Sequence, residues 1–474
     1  MFPLVEFPEL VQHYAPYFEA VFSSAAFVEF ERYISGLIVS ENKTVEGMNR
    51  LFVCESRNQS SFNRWLTASP LDLTALNQAR LRMLEAQPGT RVKSHGVLSV
   101  DDTLLKHYGH HFEQIAYLYD HVTQTYVWAH NLVTVHYSDD LTDYPLLYQL
   151  WKPADLERLE HGLVAAGIKL RPNKLALKAD PEQLHAWRQY LLGVWQRHQG
   201  QAEVAALYAS KLSIAKDLLR QWVEAHPRLK LPVTFDSWYT QPEFCRYLDQ
   251  TLGLPYVGTL DDDAQLVLKT GRVRVDEFAE RLKQEHLAAV QQGKAPVFQR
   301  VTISYKGERE QYYSYCATHR VHNFGKVRVV INYRQADLSD RPVFYIANRL
   351  VWQAAGITRI RRHRWPVEVY YEEGKAEGLD QSQLRDFGAT EKHVALVAVV
   401  YSLLRAAQHD PVLQQRLHRE LKVDLDGSVA FWRRVTQAQS LWSLALFISA
   451  GLAQGQTLHQ IMAPLLKAVC AAQA

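Results

Sequence analysis

The spacing of apolar residues changes near residue 96, and this change constrains the fold more than any other feature of the sequence. Up to about residue 90, apolar residues recur at intervals of three and four, as in SAAFVEFERYISGLI, and this predicts helices. Between residues 96 and 138 the segments HGVLSVDD and QIAYLYDHVTQTYVWAHNLVTVHYSD predict a strand followed by a hairpin, with its turn at TQT. Strands mixed with helices indicate an α/β core with appended domains.

The rest of the chain continues this mixture. The pattern predicts helices from about 141 to 228, then the strands LPVTFDSWY and LPYVGTL on either side of the helix QPEFCRYLDQTLG. Short strands follow, and the chain is predicted to be helical from residue 349 onward. We expect a helical N-terminal domain at 1–90, a first core segment at 91–263, a β-rich insertion at 264–346, a second core segment at 347–395 and a helical C-terminal domain at 396–474.

Composition and charge exclude several classes of protein. The net charge of +3 is too small for a domain that coats DNA nonspecifically, so any nucleic-acid site must be a local basic patch. The four cysteines, Cys54, Cys245, Cys316 and Cys470, lie far apart, which argues against a disulfide framework or a structural zinc site and fits a reducing cytosol. No signal peptide is predicted, and the apolar segment HVALVAVVYSLL is interpreted as a buried helix, not a membrane span.

Acidic residues follow two of the predicted strands. Asp101 and Asp102 end the first core strand, and Asp236 ends the strand LPVTFD. Open α/β sheets build their functional sites at strand ends. Two adjacent carboxylates resist ionising together, and a divalent cation such as Mg²⁺ relieves that repulsion. Each acid taken alone is a weak signal and is better explained as a turn or cap residue.

A third acidic segment, RRHRWPVEVYYEEGKAEGLDQ, contains a proline that suits the first turn of a helix. Pro366 predicts a helix from about 366 to 378, with Trp365 pushed out of helical geometry. Helical spacing places Glu368 on one face with Lys375 and with Tyr371 or Glu372 between them.

This helix combines a carboxylate with a cation on each side. Glu368 lies in the first turn, where the helix dipole favours a negative charge. Arg364 precedes the helix and could grip a phosphate in a bidentate manner, and Lys375 could act as a point charge. On spacing alone, a solvated amphipathic helix with Glu–Lys pairs is the better description.

The same residues resemble a known family. Arg364, Glu368 and Lys375 have the spacing of the Tyr-Arg-Glu-Lys signature of bacterial insertion-sequence DDE transposases. The segment VLSVDDTLLKHYG is similar to the first acidic motif of that family, in which the Asp directly before Thr is the metal ligand, here Asp102. The segment VTFDSWYT is similar to the second motif and supplies Asp236. The tyrosine of the signature is replaced by Arg361, so the role of that tyrosine cannot be transferred.

The resemblance implies an RNase H-like mixed-sheet core that holds two Mg²⁺ ions, with Mn²⁺ as a substitute. Asp102, Asp236 and Glu368 would be both the metal ligands and the catalytic residues. Water would free a 3′-hydroxyl at the transposon end, and this hydroxyl would attack target DNA. DNA contacts are expected from Arg361, Arg364 and Trp365 in the basic run at 359–365, and from Lys375 further along the helix.

The partners implied by the resemblance are double-stranded DNA, as transposon-end inverted repeats and as target, and a second subunit when the ends are bound. No membrane partner is expected, and the implied location is the bacterial cytoplasm at the nucleoid. The N-terminal helices are expected to contact the ends. The segments KTVEGMNRLF and NQSSFNRWL are consistent with a helix-turn-helix and equally with a plain helical bundle.

Other functions remain open at this stage. An RNase H-like nuclease or resolvase without strand transfer would use the same acids, and an inactive DNA-binding relative would keep only the fold. A sugar hydrolase with two carboxylates would need no metal and would leave the basic run unexplained.

Several aromatic and histidine side chains also have two interpretations. The tryptophans could stack on a flipped base or belong to the core. The histidines could bind zinc but lack a matching ligand set, which favours hydrogen-bonding roles. The residues concerned are Trp238, Trp352 and Trp365, and His107, His110 and His111.

Overall fold

The computed structural model describes residues 3–53, 57–58, 60–172 and 181–470. These residues form a mixed α/β protein with one large sheet of twelve strands and helices packed against it. The mixed fold predicted from the change of apolar spacing is confirmed, and the sheet is consistent with an RNase H-like core.

The strands are β1 (Val97–Lys106), β2 (Ala116–Asp120), β3 (Thr125–Ser138), β4 (Asp143–Trp151), β5 (Val233–Phe235), β6 (Tyr256–Leu260), β7 (Gln265–Leu268), β8 (Gly271–Arg274), β9 (Gln299–Tyr305), β10 (Glu308–Val321), β11 (Gly325–Tyr333) and β12 (Val343–Ala347).

The helices in the N-terminal half are α1 (Glu9–Tyr14), α2 (Ser24–Val39), α3 (Val45–Asn49), α4 (Ser60–Thr67), α5 (Leu73–Ala86), α6 (Leu156–Ala165), α7 (Pro181–His198), α8 (Ala202–Ala205) and α9 (Lys211–Ala225). Those in the C-terminal half are α10 (Pro242–Arg246), α11 (Val275–Gln291), α12 (Ala354–Arg362), α13 (Trp365–Ala376), α14 (Phe387–Ala407), α15 (Pro411–Leu421), α16 (Val429–Ala453) and α17 (Leu458–Cys470).

The order of strands across the sheet is β2-β3-β1-β5-β6-β12-β11-β10-β7-β8, with β4 paired to β3 and β9 paired to β10. Strand β1 is antiparallel to β3 and parallel to β5, and β5 is parallel to β6. The strands within 264–346 continue the same sheet, because β12 pairs with β6. Because β1 and β5 run parallel and Val100 pairs with Phe235, the acids in the middle of β1 lie beside the acid that follows β5.

Most of the strands predicted from the sequence are confirmed. The hairpin consists of β2 and β3, with Gln124 in its turn at φ 54°. The strands predicted around 233 and 256 are β5 and β6, and those predicted between 297 and 347 are β9 to β12.

One helix prediction was wrong. The segment at 143–151, predicted as helical, is the strand β4, because DYPLLYQLW is rich in apolar and aromatic residues and pairs along β3. The segment at 264–346, predicted to be rich in strands, contains β7 to β12 and also the 17-residue helix α11. Buried residues of α11 at 275, 279, 282 and 286 have the helical spacing that identifies it.

Trp365 is also placed differently from the prediction. It is the first residue of α13, and Arg364 before it keeps a right-handed helical conformation with φ −74° and ψ −36°. The steric bias against a helix before proline is outweighed here, because the chain turns directly from α12 into α13.

The longest buried helix, α14, runs through the interior and contacts α2, α4, α5, α16 and β4. It is long and apolar enough to cross a membrane, but 83% of its most apolar window is buried inside the protein. The interpretation of HVALVAVVYSLL as a buried core helix is therefore confirmed.

The two N-terminal segments considered for a helix-turn-helix contain α3 and α4. Residues 54–56 and 59, between these helices, lie outside the described residues, as do Cys54 and the side chain of Cys470. A role of these helices in DNA binding stays a prediction.

Candidate active site

Two neighbouring parallel strands bring three acids together. Val100 of β1 pairs with Phe235 of β5. Asp101 and Asp236 directly follow these two residues, so they lie side by side. Asp236 begins a turn in which its Oδ1 accepts the backbone N–H of Tyr239 at 3.1 Å. Asp236 therefore follows β5 directly, as predicted. The prediction that Asp101 and Asp102 end the first core strand was wrong, because β1 continues past them to Lys106 along β3.

Asp101 and Asp102 point to opposite faces of the sheet, because successive residues of a strand alternate. Asp101 is paired with Thr134 of β3, on the face covered by α13. Its Oδ2 accepts a hydrogen bond from Arg364 Nη1 at 2.6 Å, and its backbone carbonyl accepts one from the Tyr371 hydroxyl at 3.0 Å. Both donors come from α13 or its cap, so Asp101 is the acid that faces this helix.

Asp102 lies on the other face, where it is surrounded by donors. Its Oδ2 accepts from Lys211 Nζ at 2.9 Å and from Asn131 Nδ2 at 2.6 Å, and its Oδ1 accepts from the Tyr239 hydroxyl at 2.9 Å. Lys211 is the first residue of α9 and also lies 4.3 Å from the ring centroid of Trp238. The charge of Asp102 is thus already balanced within the protein.

Arg364 joins Asp101 to the helix acid Glu368. It occupies the N-cap position of α13 and forms ion pairs with both carboxylates. Its side chain is only 13% exposed, and Glu368 lies in the first turn, as predicted. Burial lowers the pKa of Arg364, but Asp101 and Glu368 raise it by more, so this guanidinium stays charged.

Negative charge is not fully compensated on this side of the sheet. Burial raises the pKa of Asp101 to about 7 despite the neighbouring Arg364, and Asp236 and Asp102 add to the rise. Burial also raises the pKa of Asp236. Buried carboxylates with raised pKa values and specific charged neighbours are typical of functional sites.

The side chains fit a hard divalent cation by their chemistry, since carboxylate oxygens are its usual ligands. Among the described residues, however, no group of three or more acidic, histidine or cysteine side chains could hold a single ion. In this arrangement Arg364 joins Asp101 to Glu368, so a cation bound by both carboxylates would compete with its guanidinium.

The histidines considered as zinc ligands make other contacts. His107 Nε2 lies 2.8 Å from His130 Nδ1, and the rings of His110 and His111 pack at 4.1 Å.

A cavity of about 230 Å³ lies beside the acids, between the strands β10–β12 and the helices α12 and α13. Five arginines line it together with aromatic side chains, and its basic and aromatic residues are Arg334, Arg341, Arg361, Arg362, Arg364, Tyr312, Tyr345 and Trp365. We call this cavity the arginine pocket. So many guanidinium groups in one concave site indicate recognition of an anion.

Arg361 differs from the other arginines of the pocket. The other four each form an ion pair with a carboxylate of Glu310, Asp262, Asp101 or Glu368. Arg361 has no such partner among the described residues; it donates to Thr259 Oγ1 at 2.8 Å and lies over the ring of Tyr345. Burial and the nearby Arg364 lower its pKa to about 10. Within the described part of the chain, the pocket thus contains an enclosed positive charge that no carboxylate pairs with directly.

The remaining predicted residues separate into two groups. Trp365 is 50% exposed and lines the arginine pocket, and Trp238 is 43% exposed beside Lys211. Trp352 is partly buried in a small apolar cluster with Ile357. Lys375 lies in the last turn of α13, where Asp380, Lys106, Asp120 and Glu372 are the charged groups that act on it most strongly.

Sequence reasoning missed four residues of the site. Asp101 was noted only as a neighbour of Asp102. Successive residues of a strand point to opposite faces of the sheet, but this rule does not show which of the two faces is covered by the helix that carries Glu368. Lys211, Asn131 and Tyr239 lie far along the chain from Asp102, and no spacing rule connects them to it.

A comparison with known families gives a match to the chain. A family model described as DDE superfamily endonuclease matches residues 16–287. The match includes Asp101, Asp102 and Asp236 and ends before α13. No curated protein gives a match to the chain.

Proposed function

The chain belongs to the DDE superfamily endonuclease family, and we propose that it is a DNA transposase, which cuts DNA at transposon ends and transfers the cut strand to target DNA. Membership of this family implies a DNA substrate and a nuclease that depends on divalent metal ions. Strand transfer, two Mg²⁺ ions and action as a homodimer on the ends are the finer parts of the proposal.

One observation carries the proposal. The bridge from Asp101 through Arg364 to Glu368 lies next to Asp236 and opens onto the arginine pocket. Acids for cations and arginines for phosphates are thus found side by side, as phosphodiester chemistry requires. A sugar hydrolase would have no use for the enclosed charge of Arg361.

The identity of the first acid has two possible answers. The motif resemblance selects Asp102 to act with Asp236 and Glu368. The side-chain geometry supports Asp101, because it faces α13, whereas Asp102 is neutralised by Lys211. We propose that Asp101 contributes to the site together with Asp236 and Glu368. Comparing cleavage by Asp101→Asn and Asp102→Asn tests whether Asp102 is needed instead.

The chemistry divides between bound ions and the protein. Two Mg²⁺ ions would supply activation of the attacking oxygen and stabilisation of the leaving oxygen. Arg361 and its neighbours in the arginine pocket bind backbone phosphates and orient the scissile bond. Water attacks phosphorus and the P–O3′ bond breaks, which leaves a 5′-phosphate and a free 3′-hydroxyl. This 3′-hydroxyl then attacks a phosphodiester of target DNA, and the target's own P–O3′ bond breaks and releases a target 3′-hydroxyl.

The test uses a linear duplex that spans the boundary between the element and its flanking DNA. Wild-type protein is incubated with Mg²⁺ or with EDTA, beside Glu368→Gln. Glu372→Gln is the matched control, since Glu372 is an exposed glutamate one turn further along the same helix. Products are separated on a denaturing gel.

We expect nicking at the element boundary that requires Mg²⁺, is lost in Glu368→Gln and is retained in Glu372→Gln. A product longer than the substrate strand would demonstrate strand transfer. Nicking without that product would favour a nuclease or resolvase. Cleavage that survives EDTA or Glu368→Gln would contradict the role of these acids.

A further inference from the structure

The hairpin of β2 and β3 carries four exposed aromatic rings on one face. Tyr117 and Tyr126 are each 57% exposed, Tyr119 is 40% exposed and Trp128 is 39% exposed. Large apolar side chains that are exposed together mark interaction sites more often than those that are exposed singly. We call these four residues the aromatic face.

The register of the hairpin makes the rings contiguous. Tyr117 is directly opposite Trp128, and Tyr119 is directly opposite Tyr126. The centroid distances are 5.3 Å for Tyr117–Trp128, 5.2 Å for Tyr119–Tyr126 and 5.3 Å for the stacked diagonal pair Tyr117–Tyr126. Aromatic rings occupy all four positions of this face, so it offers a continuous π surface.

The aromatic face lies on the same side of the sheet as Asp101, the acid that faces α13. Trp128 and Thr134 are six residues apart on β3, and Thr134 is the partner of Asp101. An even separation in a strand keeps both side chains on one face. At ~3.4 Å per residue the two are about 20 Å apart along the strand. Phe387, at the start of α14, packs on His130 between them.

Local charge argues for stacking over phosphate contact. The one carboxylate of β2, Asp120, is paired with Lys106 at 2.6 Å, so the hairpin neither strongly attracts nor repels a nucleic-acid backbone. Base–aromatic stacking is worth about 1–3 kcal/mol per base and tolerates any sequence. Bases of intact duplex are already stacked on each other and are not free to bind rings.

We propose that the aromatic face binds unpaired bases of a single DNA strand that extends from the active site. The proposal rests on the proposed function for the origin of that strand. Its stacking chemistry can be measured without any cleavage.

The test measures binding of a fluorescent single-stranded thymidine oligonucleotide in EDTA. The double variant Tyr126→Ile with Trp128→Ile keeps apolar surface and strand propensity but removes two rings. Trp442→Leu is the matched control, because Trp442 is a similarly exposed tryptophan (43%) on the remote helix α16. An abasic oligonucleotide of equal length separates stacking from phosphate contacts.

We expect the double variant to bind the oligonucleotide at least about tenfold more weakly, with the control variant unchanged. The abasic strand should bind wild type about as weakly as the thymidine strand binds the variant. Equal binding by variant and wild type, or full binding of the abasic strand, would overturn the proposal. Wild-type self-association that the double variant abolishes would also overturn it, by assigning the face to a second copy of the chain.

Failure of the proposed function has a different signature. In that case the boundary duplex would not be cut in Mg²⁺, whatever the oligonucleotide measurement shows. Comparable thermal unfolding of wild type and double variant establishes that both are folded.

Discussion

Replacing Arg361 by glutamine should change DNA binding and folding stability in opposite directions. Arg361 is the arginine of the pocket that has no carboxylate partner among the described residues, so its charge is free to meet a phosphate. Loss of one phosphate contact should reduce the slope of log affinity against log salt by about 0.9. At low salt the affinity for a short duplex should fall by about tenfold, as for one charge-assisted hydrogen bond.

The expected gain in stability follows from the cost of enclosing that charge. Burial and Arg364 lower the pKa of Arg361 to about 10, and at ~1.4 kcal/mol per pKa unit this shift corresponds to at most about 3 kcal/mol. Because the folded pKa is below the unfolded value, the penalty is fully present at neutral pH. Losing the hydrogen bond to Thr259 offsets about 1 kcal/mol. We expect a net gain of about 1–2 kcal/mol in the free energy of unfolding.

Fluorescence anisotropy over a salt series and urea denaturation measure the two effects. Arg341→Gln is the control, because Arg341 is 80% exposed and already paired with Asp262. It should change the salt slope by less than Arg361→Gln and should not stabilise the protein. If Arg361→Gln destabilises the protein and leaves the slope unchanged, Arg361 has a structural role and the reasoning is refuted.

Three further predictions concern the acids of the site, the metal and the buried carboxylate of Glu377. Asp101→Asn should lower boundary cleavage to the level of Glu368→Gln, with a smaller loss for Asp102→Asn; the reverse order in the gel assay would support the motif assignment of Asp102. EDTA should abolish cleavage, and Mg²⁺ or Mn²⁺ should each restore it; recovery without added metal would exclude this dependence. Burial raises the pKa of Glu377 to about 7, so wild-type stability should fall by up to about 3 kcal/mol as pH rises from 4.5 to 7. The stability of Glu377→Gln, measured by denaturation, should not fall over this pH range. The same pH dependence of stability in the variant and the wild type would contradict the prediction.

The sequence predicted those parts of the fold that depend on neighbouring residues. The β2–β3 hairpin and the start of α13 near Pro366 follow from local spacing and turn chemistry. The strand β4 was missed because a run of apolar residues suits a helix and a strand equally, and only its pairing with β3 decides between them.

Within the candidate site the same division holds. Glu368 in the first turn of α13 could be predicted, because helix geometry depends on residues three and four apart. Which of Asp101 and Asp102 faces that helix could not, since both faces of β1 are covered and the assignment depends on where α9 and α13 pack. Lys211 is 109 residues from Asp102 in the chain, and only packing brings its ammonium to 2.9 Å from the carboxylate.

The sequence by itself determined the mixed α/β class, the acids at the strands and the basic run before α13. Those features depend on short-range periodicity, which each segment carries wherever it packs. The tertiary structure alone decided that Arg364 bridges Asp101 and Glu368 and that Arg361 is enclosed with no carboxylate paired to it among the described residues. The physical reason is that charge balance depends on distances between elements remote in sequence, and these distances are set when the whole core packs.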